Sequence, residues 1–302
     1  MSDVQKKILL AGANGLLGQK TAEVFARETD HELLLADLAS RAEEPRKYSY
    51  IQLDITNKEK VKSTVKEYKP DIIINAAAYT NVDGCETERE LSWRVNVDAV
   101  KNLIIASRYN ASKIIHISTD YIFDGVKGGY DEDSTPNPLS FYGKSKLASE
   151  NALFASGVTC AVIRTMIIYG NGKNVKKNFA LWLVDKLGNS EPVRIVDDQF
   201  GMPTMVDDLG LALIRIVDRE RTGVFNVCGS EYLSRHEFAV RLADIFEYDS
   251  SMIEPIKTAA LQQAAARPMN SSFVLLKAET ELGLKTLNVT DGLYMLKSQL
   301  GM

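Results

Sequence analysis

The run Lys7-Ile8-Leu9-Leu10-Ala11-Gly12-Ala13-Asn14-Gly15-Leu16-Leu17-Gly18 leaves few folds open to this chain. An apolar stretch the length of one strand meets three glycines spaced three apart, and a helix-forming run, Gln19 to Arg27, follows. Strand, glycine turn and helix in that order let a backbone approach a pyrophosphate, while the helix N-terminus offers free N–H groups and the positive end of its dipole. Glycines also make ordinary tight turns. Here their position between a strand and a helix predicts a dinucleotide cradle formed by Gly12, Asn14, Gly15, Leu16, Leu17 and Gly18.

The rest of the first half repeats the rhythm. Strand-like runs are predicted at Lys7–Ala11, Glu32–Asp37, Tyr50–Leu53, Asp71–Ala76, Lys113–Ser118 and Thr159–Thr165. Helical patterns alternate with them at 15–27, 58–68, 88–109 and 141–155. Short apolar runs separated by helices predict a Rossmann-like, doubly wound parallel sheet in an α/β protein. Beyond Tyr169 the rhythm loosens: helices are expected at 179–187, 207–217 and 235–246, and strands at 193–196 and 224–227. The expected division is a dinucleotide-binding domain over 1–168 and a smaller α/β substrate lobe, mainly 169–302, with some later segments returning to the first domain.

Composition narrows the function. With 45% hydrophobic and 25% charged residues and a net charge of −4, the chain reads as a globular protein with no basic stripe for nucleic acid. No apolar run approaches the roughly 20 residues of a membrane span, and no signal-peptide core precedes the first strand. The charged blocks 41–47 and 131–133 read as solvated loops. Three cysteines and three histidines are scattered without ligand spacing, so neither a disulfide framework nor a metal site is expected. Each cysteine reads as a small buried apolar group. The expected compartment is the cytoplasm.

Particular residues carry the chemistry. Asp37 ends the second strand about 20 residues past the glycine turn, where a carboxylate can accept from the adenosine ribose and favour NADH; Arg41 could instead meet the 2′-phosphate of NADPH. Asp37 could equally cap a turn. Small residues at Ala76, Ala77 and Ala78 permit close backbone contact with a cofactor. Tyr142 and Lys146, four apart, share one helical face. A phenol titrates near about 10, and a neighbouring ammonium is expected to lower that value so that Tyr142 can pass a proton to a carbonyl oxygen. The fifth apolar run leads into Ser118-Thr119-Asp120, where a hydroxyl can hydrogen-bond the same carbonyl and Tyr142 together. Strand ends face the ligand crevice in such sheets.

Together these residues resemble the extended short-chain dehydrogenase/reductase superfamily, with further matches at Asp54-Ile55 and Asn75–Ala78. Within it the chain resembles the dTDP-4-dehydrorhamnose reductases, through Ala77–Asp83, Asn96-Val97, Ser118–Gly125, Asp198–Thr204 and Arg267–Ser271. The resemblance implies NAD(P)H-dependent reduction of the C4 keto group of a nucleotide-activated deoxysugar. Tyr142 would be the proton donor, Lys146 its electrostatic partner, which also holds the nicotinamide ribose, and Thr119 the hydroxyl stabiliser. It further implies that Gly12 to Gly18, Asp37, Asp54, Ile55 and Ala76–Ala78 hold the cofactor. Asp120 and Tyr121 would lie beside the sugar, and Asn178 and Arg267 at the nucleotide-sugar end. An arginine fork suits a diphosphate, although a surface salt bridge is the ordinary use of such a residue.

Two departures stand out. The family's Ser-Trp after the sixth strand is Met166-Ile167 here, so no aromatic face meets the sugar. Gln19-Lys20 replaces the acidic residue that some members use for a metal-linked dimer, which leaves a homodimer through other contacts open. Asp120 is followed by Tyr121, where dehydratases of the superfamily usually carry a second acid; epimerases and dehydratases remain alternatives. The regulatory subunit of methionine adenosyltransferase also resembles this family, so a non-catalytic dinucleotide-binding protein is the other reading.

Overall fold

A computed structural model describes residues 4–41, 43 and 47–302. Most of the charged block expected at 41–47 therefore lies outside the described residues. Strands β1 (Lys7–Ala11), β2 (Glu32–Asp37), β3 (Ser49–Gln52), β4 (Ile72–Asn75), β5 (Lys113–Thr119) and β6 (Cys160–Thr165) are joined by a seventh, Gly223–Asn226. All pair in parallel, and the sheet runs Gly223–Asn226, β6, β5, β4, β1, β2, β3. That is the Rossmann order with one strand added beyond β6. Parallel strands with helices on both faces need apolar residues on both sides, and β4 is buried at every position.

Apolar clusters cover the two faces. One sets helix α1 (Leu16–Glu28) and the helix Val206–Asp218 on the sheet; the other sets Lys58–Tyr68 and Ala99–Ser107 on it. A third core fills the lobe, where Phe179–Gly188, Arg235–Phe246 and Val289–Gln299 pack around the paired strands Val193–Val196 and Ile253–Ile256. The terminal helix, Val289–Gln299, was not among the predicted elements. All three cysteines are free and buried.

The expected helix over 88–109 is broken. It forms as Arg89–Trp93, a π-helical turn at Arg94–Asp98, and Ala99–Ser107. The wider turn places Asn96 to bind both backbone groups of Tyr79, at 2.8 and 3.1 Å, and the Ser145 hydroxyl at 3.0 Å. One buried amide thus ties the loop after β4 to the helix that carries Tyr142. Such π-turns recur at functional sites.

Candidate active site

The strand order reverses between β1 and β4, and a crevice opens at the carboxyl ends of these strands. Its floor is the glycine turn. Gly12 has φ +83°, and a Cβ there would lie 2.6 Å from the Ala77 nitrogen and 2.8 Å from the Ala76 carbonyl carbon. A Cβ on Gly18 would run into the Gly12 carbonyl oxygen. Gly12 therefore lets β1 close on the loop after β4, and Gly18 lets α1 close on the turn. At Gly15 a Cβ would meet only the Gly12 oxygen, at 3.4 Å, so its bareness is left for a ligand.

Above this floor is a cavity of ≈ 560 Å³ whose wall includes Asn14, Leu16, Asp37, Asp54, Ile55 and Ala76–Ala78. Asp37 accepts from the Asn14 N–H at 2.9 Å and from the Leu38 N–H at 2.7 Å, so its carboxylate braces the glycine turn while facing the cavity. Asp54 accepts from the Thr56 N–H and hydroxyl, each at 2.8 Å. A cavity of this volume, the N-terminus of α1 beside the glycine turn and the carboxylate of Asp37 fit a dinucleotide.

A second cavity, ≈ 430 Å³, shares Gly15, Leu16, Ala76, Ala78 and Thr80 with the first and extends over β5 and β6. Leu17, Thr119, Asp120, Tyr121, Tyr142, Lys146 and Ile167 line it. Ser140 caps the helix Phe141–Ala155 by accepting from the Gly143 N–H, which sets Tyr142 in the first turn and Lys146 one turn on. The Thr119 hydroxyl donates to Asp120 Oδ1 at 3.0 Å and accepts from the Tyr121 N–H at 3.2 Å, and it lines the same cavity as the Tyr142 phenol. The Tyr121 ring stands edge-on to Tyr142, with centroids 5.5 Å apart. Ser118 and Thr165 also line this cavity, and their buried hydroxyls have no protein partner.

The electrostatics differ from expectation at Tyr142. Burial lifts its phenol well above the ordinary value, with the Thr119 hydroxyl opposing. Lys146 does not reverse this, because Nζ is turned away, donating to the Ile117 carbonyl at 2.6 Å and lying 3.2 Å from His116 Nε2. Burial lowers Lys146 itself to about 8. Asp120 is raised by burial, against hydrogen bonds from Ser271 and Thr119. Tyr142 is thus held protonated, the form a proton donor needs.

Two residues expected at the nucleotide-sugar end, Arg267 and Asn178, are each held by protein partners. The Arg267 guanidinium forks onto Asp83 at 2.9 and 2.6 Å and onto the Ala265 carbonyl at 2.7 Å, which pulls the Asp83 carboxyl below its usual range. The salt bridge is what the arginine makes here. Asn178 caps the helix Phe179–Gly188, accepting from the Leu181 N–H at 3.2 Å and donating to the Gly170 carbonyl at 2.8 Å, and it borders the larger cavity. Ile167, in the place of the family tryptophan, sits at φ +45°, a left-handed conformation that costs a β-branched residue energy. Ser118, Thr165 and Ser271 were missed; Ser118 and Ser271 lie within segments that carried the resemblance.

The family described as the RmlD substrate binding domain matches residues 6–300, and the chain belongs to it. Its fold is that of the extended short-chain dehydrogenase/reductases. A dTDP-4-dehydrorhamnose reductase from Aggregatibacter actinomycetemcomitans is 33% identical over 292 residues, covering 92% of this chain and 94% of its own. Methionine adenosyltransferase 2 subunit beta from Xenopus laevis is 31% identical over 280 residues, covering 91% and 82%. The structure of dTDP-4-dehydrorhamnose reductase from Bacillus anthracis in complex with NADP superposes with a TM-score of 0.83 at 29% identity, over 98% of this chain and 100% of that one.

Proposed function

We propose that the protein reduces the C4 keto group of a nucleotide-activated deoxysugar, using NADH or NADPH. The observation that carries this reading is the meeting of Thr119, Tyr142 and Lys146 in one cavity continuous with the dinucleotide crevice. The cofactor, when bound, supplies the hydride. The Thr119 hydroxyl and the phenol of Tyr142 converge where the ketone oxygen would sit, and Tyr142 gives its proton to that oxygen as negative charge develops there. Lys146, one turn on from Tyr142 in the same helix, supplies positive charge and would hold the cofactor's ribose. Asp120 and Tyr121 present a polar and an aromatic surface to the sugar. The cytoplasm is the proposed compartment.

The likeness to a methionine adenosyltransferase subunit gives a second reading, a dinucleotide-binding regulatory protein. Oxidation of NADH or NADPH by nucleotide-linked 4-dehydro-6-deoxysugars separates the two. Turnover that falls by about 10²-fold or more in Tyr142→Phe, with cofactor affinity little changed, supports the reductase. Cofactor binding with no turnover on any such sugar assigns the chain to the regulatory reading.

A further inference from the structure

Behind Lys146 lies a set of buried polar groups that carbonyl reduction does not itself require. His116 sits in β5 at 1% exposure, where an apolar residue would serve the sheet. Its Nδ1 is 3.1 Å from Asn75 Nδ2, and its Nε2 is 3.0 Å from the Ser149 hydroxyl and 3.2 Å from Lys146 Nζ. The Asn75 amide is oriented by its oxygen, which accepts the Ala77 N–H at 3.2 Å. Asn75 Nδ2 therefore points at the ring as a donor, so Nδ1 accepts.

A neutral imidazole that accepts at Nδ1 carries its proton on Nε2. That proton goes to Ser149, whose hydroxyl donates in turn to the Lys146 carbonyl at 2.6 Å. The chain of donors and acceptors is then complete, and it leaves Lys146 Nζ facing an N–H. An ammonium there sets donor against donor; a neutral amine can accept. Glu150, one turn on, is the acid that favours the charged lysine, but its carboxylate is bound by the Arg164 guanidinium at 2.8 Å. Lys146 is the charged group acting on His116, whose own protonation burial strongly disfavours. On the cavity side stand Tyr142, Thr119 and Asp120.

We infer that His116 is a positioning residue: its Asn75-locked tautomer loosens the hold of Lys146 on its proton and sets the pH at which the ammonium is lost. The inference rests on the role given to Lys146 in the proposed reaction.

Imidazole nitrogen chemical shifts read the tautomer directly in the protein without substrate, and the Nε2–H form is expected; an Nδ1–H ring overturns the inference. The Lys146 titration, followed by carbon NMR of labelled lysine and assigned by its loss in Lys146→Met, tests the consequence. His116→Gln offers Lys146 a carbonyl oxygen and should move its titration upward by about one pH unit or more, the scale of one hydrogen bond to a charged group. Asn75→Ala, which frees Nδ1 to carry the proton and Nε2 to accept, should move it the same way and stands in if His116→Gln fails to fold. The alkaline limb of kcat should follow upward, because activity that needs the ammonium is lost as pH rises through the lysine's titration. An unmoved lysine in a folded variant overturns the inference. Because the lysine is read without substrate, lack of turnover on the keto sugars counts against the reductase alone.

Discussion

The crevice above β1 and β4 is walled by backbone and small residues, whereas the cavity beside it, above β5, is walled by side chains that carry protons. In the first, Gly12, Gly15, Gly18 and Ala76–Ala78 work through what they lack, and Asp37 and Asp54 spend hydrogen bonds on bracing the chain. In the second, Thr119, Asp120, Tyr142 and Lys146 are all buried, and burial displaces the protonation of the last three. A dinucleotide held by its phosphates and riboses needs a shape; a carbonyl being reduced needs proton donors kept ready. The first region should therefore fail by steric change and the second by changes of charge.

The hardest test of the backbone-built crevice is Gly12→Ala. Its φ of +83° and the 2.6 Å approach to the Ala77 nitrogen leave a methyl no room, so a loss of about 3 kcal/mol or more is expected, together with cofactor binding. Thermal unfolding and NADH fluorescence read both; a variant that binds like wild type would break the comparison. A smaller effect is expected at Asp37. Replacing it with alanine should weaken NADH by about tenfold, the scale of one charge-assisted hydrogen bond, and NADPH by less. Equal losses for both cofactors would confine this carboxylate to bracing the Asn14 N–H.

The smallest effect belongs to the charged cavity. Asp120 is raised by burial, so the folded state binds its proton more tightly than the unfolded chain does. The stability it contributes is complete below the unfolded carboxylate value and is lost as pH rises through the raised folded one. Asp120→Asn should therefore raise Tm by a few degrees at pH 7.5, on the order of 1 kcal/mol, and that gain should vanish on acidification to about pH 4. A gain that persists in acid would assign the effect to packing instead of charge.

Much of this was legible from local spacing. The glycine turn, the four-residue step from Tyr142 to Lys146 and the strand ending at Thr119 are short-range patterns, and a short strand or one helical turn converts them directly into geometry. What stayed hidden depends on distant partners. Arg267 was read as an anion fork or a salt bridge, and the partner that settles its contact here, Asp83, lies 2.6 Å from it across 184 positions of sequence. Asn178 was expected at the nucleotide-sugar end, and its additional role as the cap of the helix Phe179–Gly188 was not read from the sequence. The lowered phenol expected at Tyr142 required Lys146 to face it, whereas the Ile117 carbonyl claims the ammonium. His116 itself gave no signal, since nothing in its neighbours predicts Asn75 and Ser149 around one ring. Ile167 was noted for the aromatic face it lacks, and its left-handed backbone depends on a loop whose Thr204 N–H reaches back to its carbonyl at 3.1 Å.

The strand Gly223–Asn226 pairs with β6, although more than fifty residues separate them in the chain. During synthesis, then, β6 leaves the ribosome with one flank bare and must wait for that partner. The helix Val206–Asp218, which covers α1, emerges in the same interval. The nucleotide-binding half cannot finish folding before much of the lobe has been translated, and a nascent chain halted near residue 200 would present an open, apolar sheet edge to chaperones.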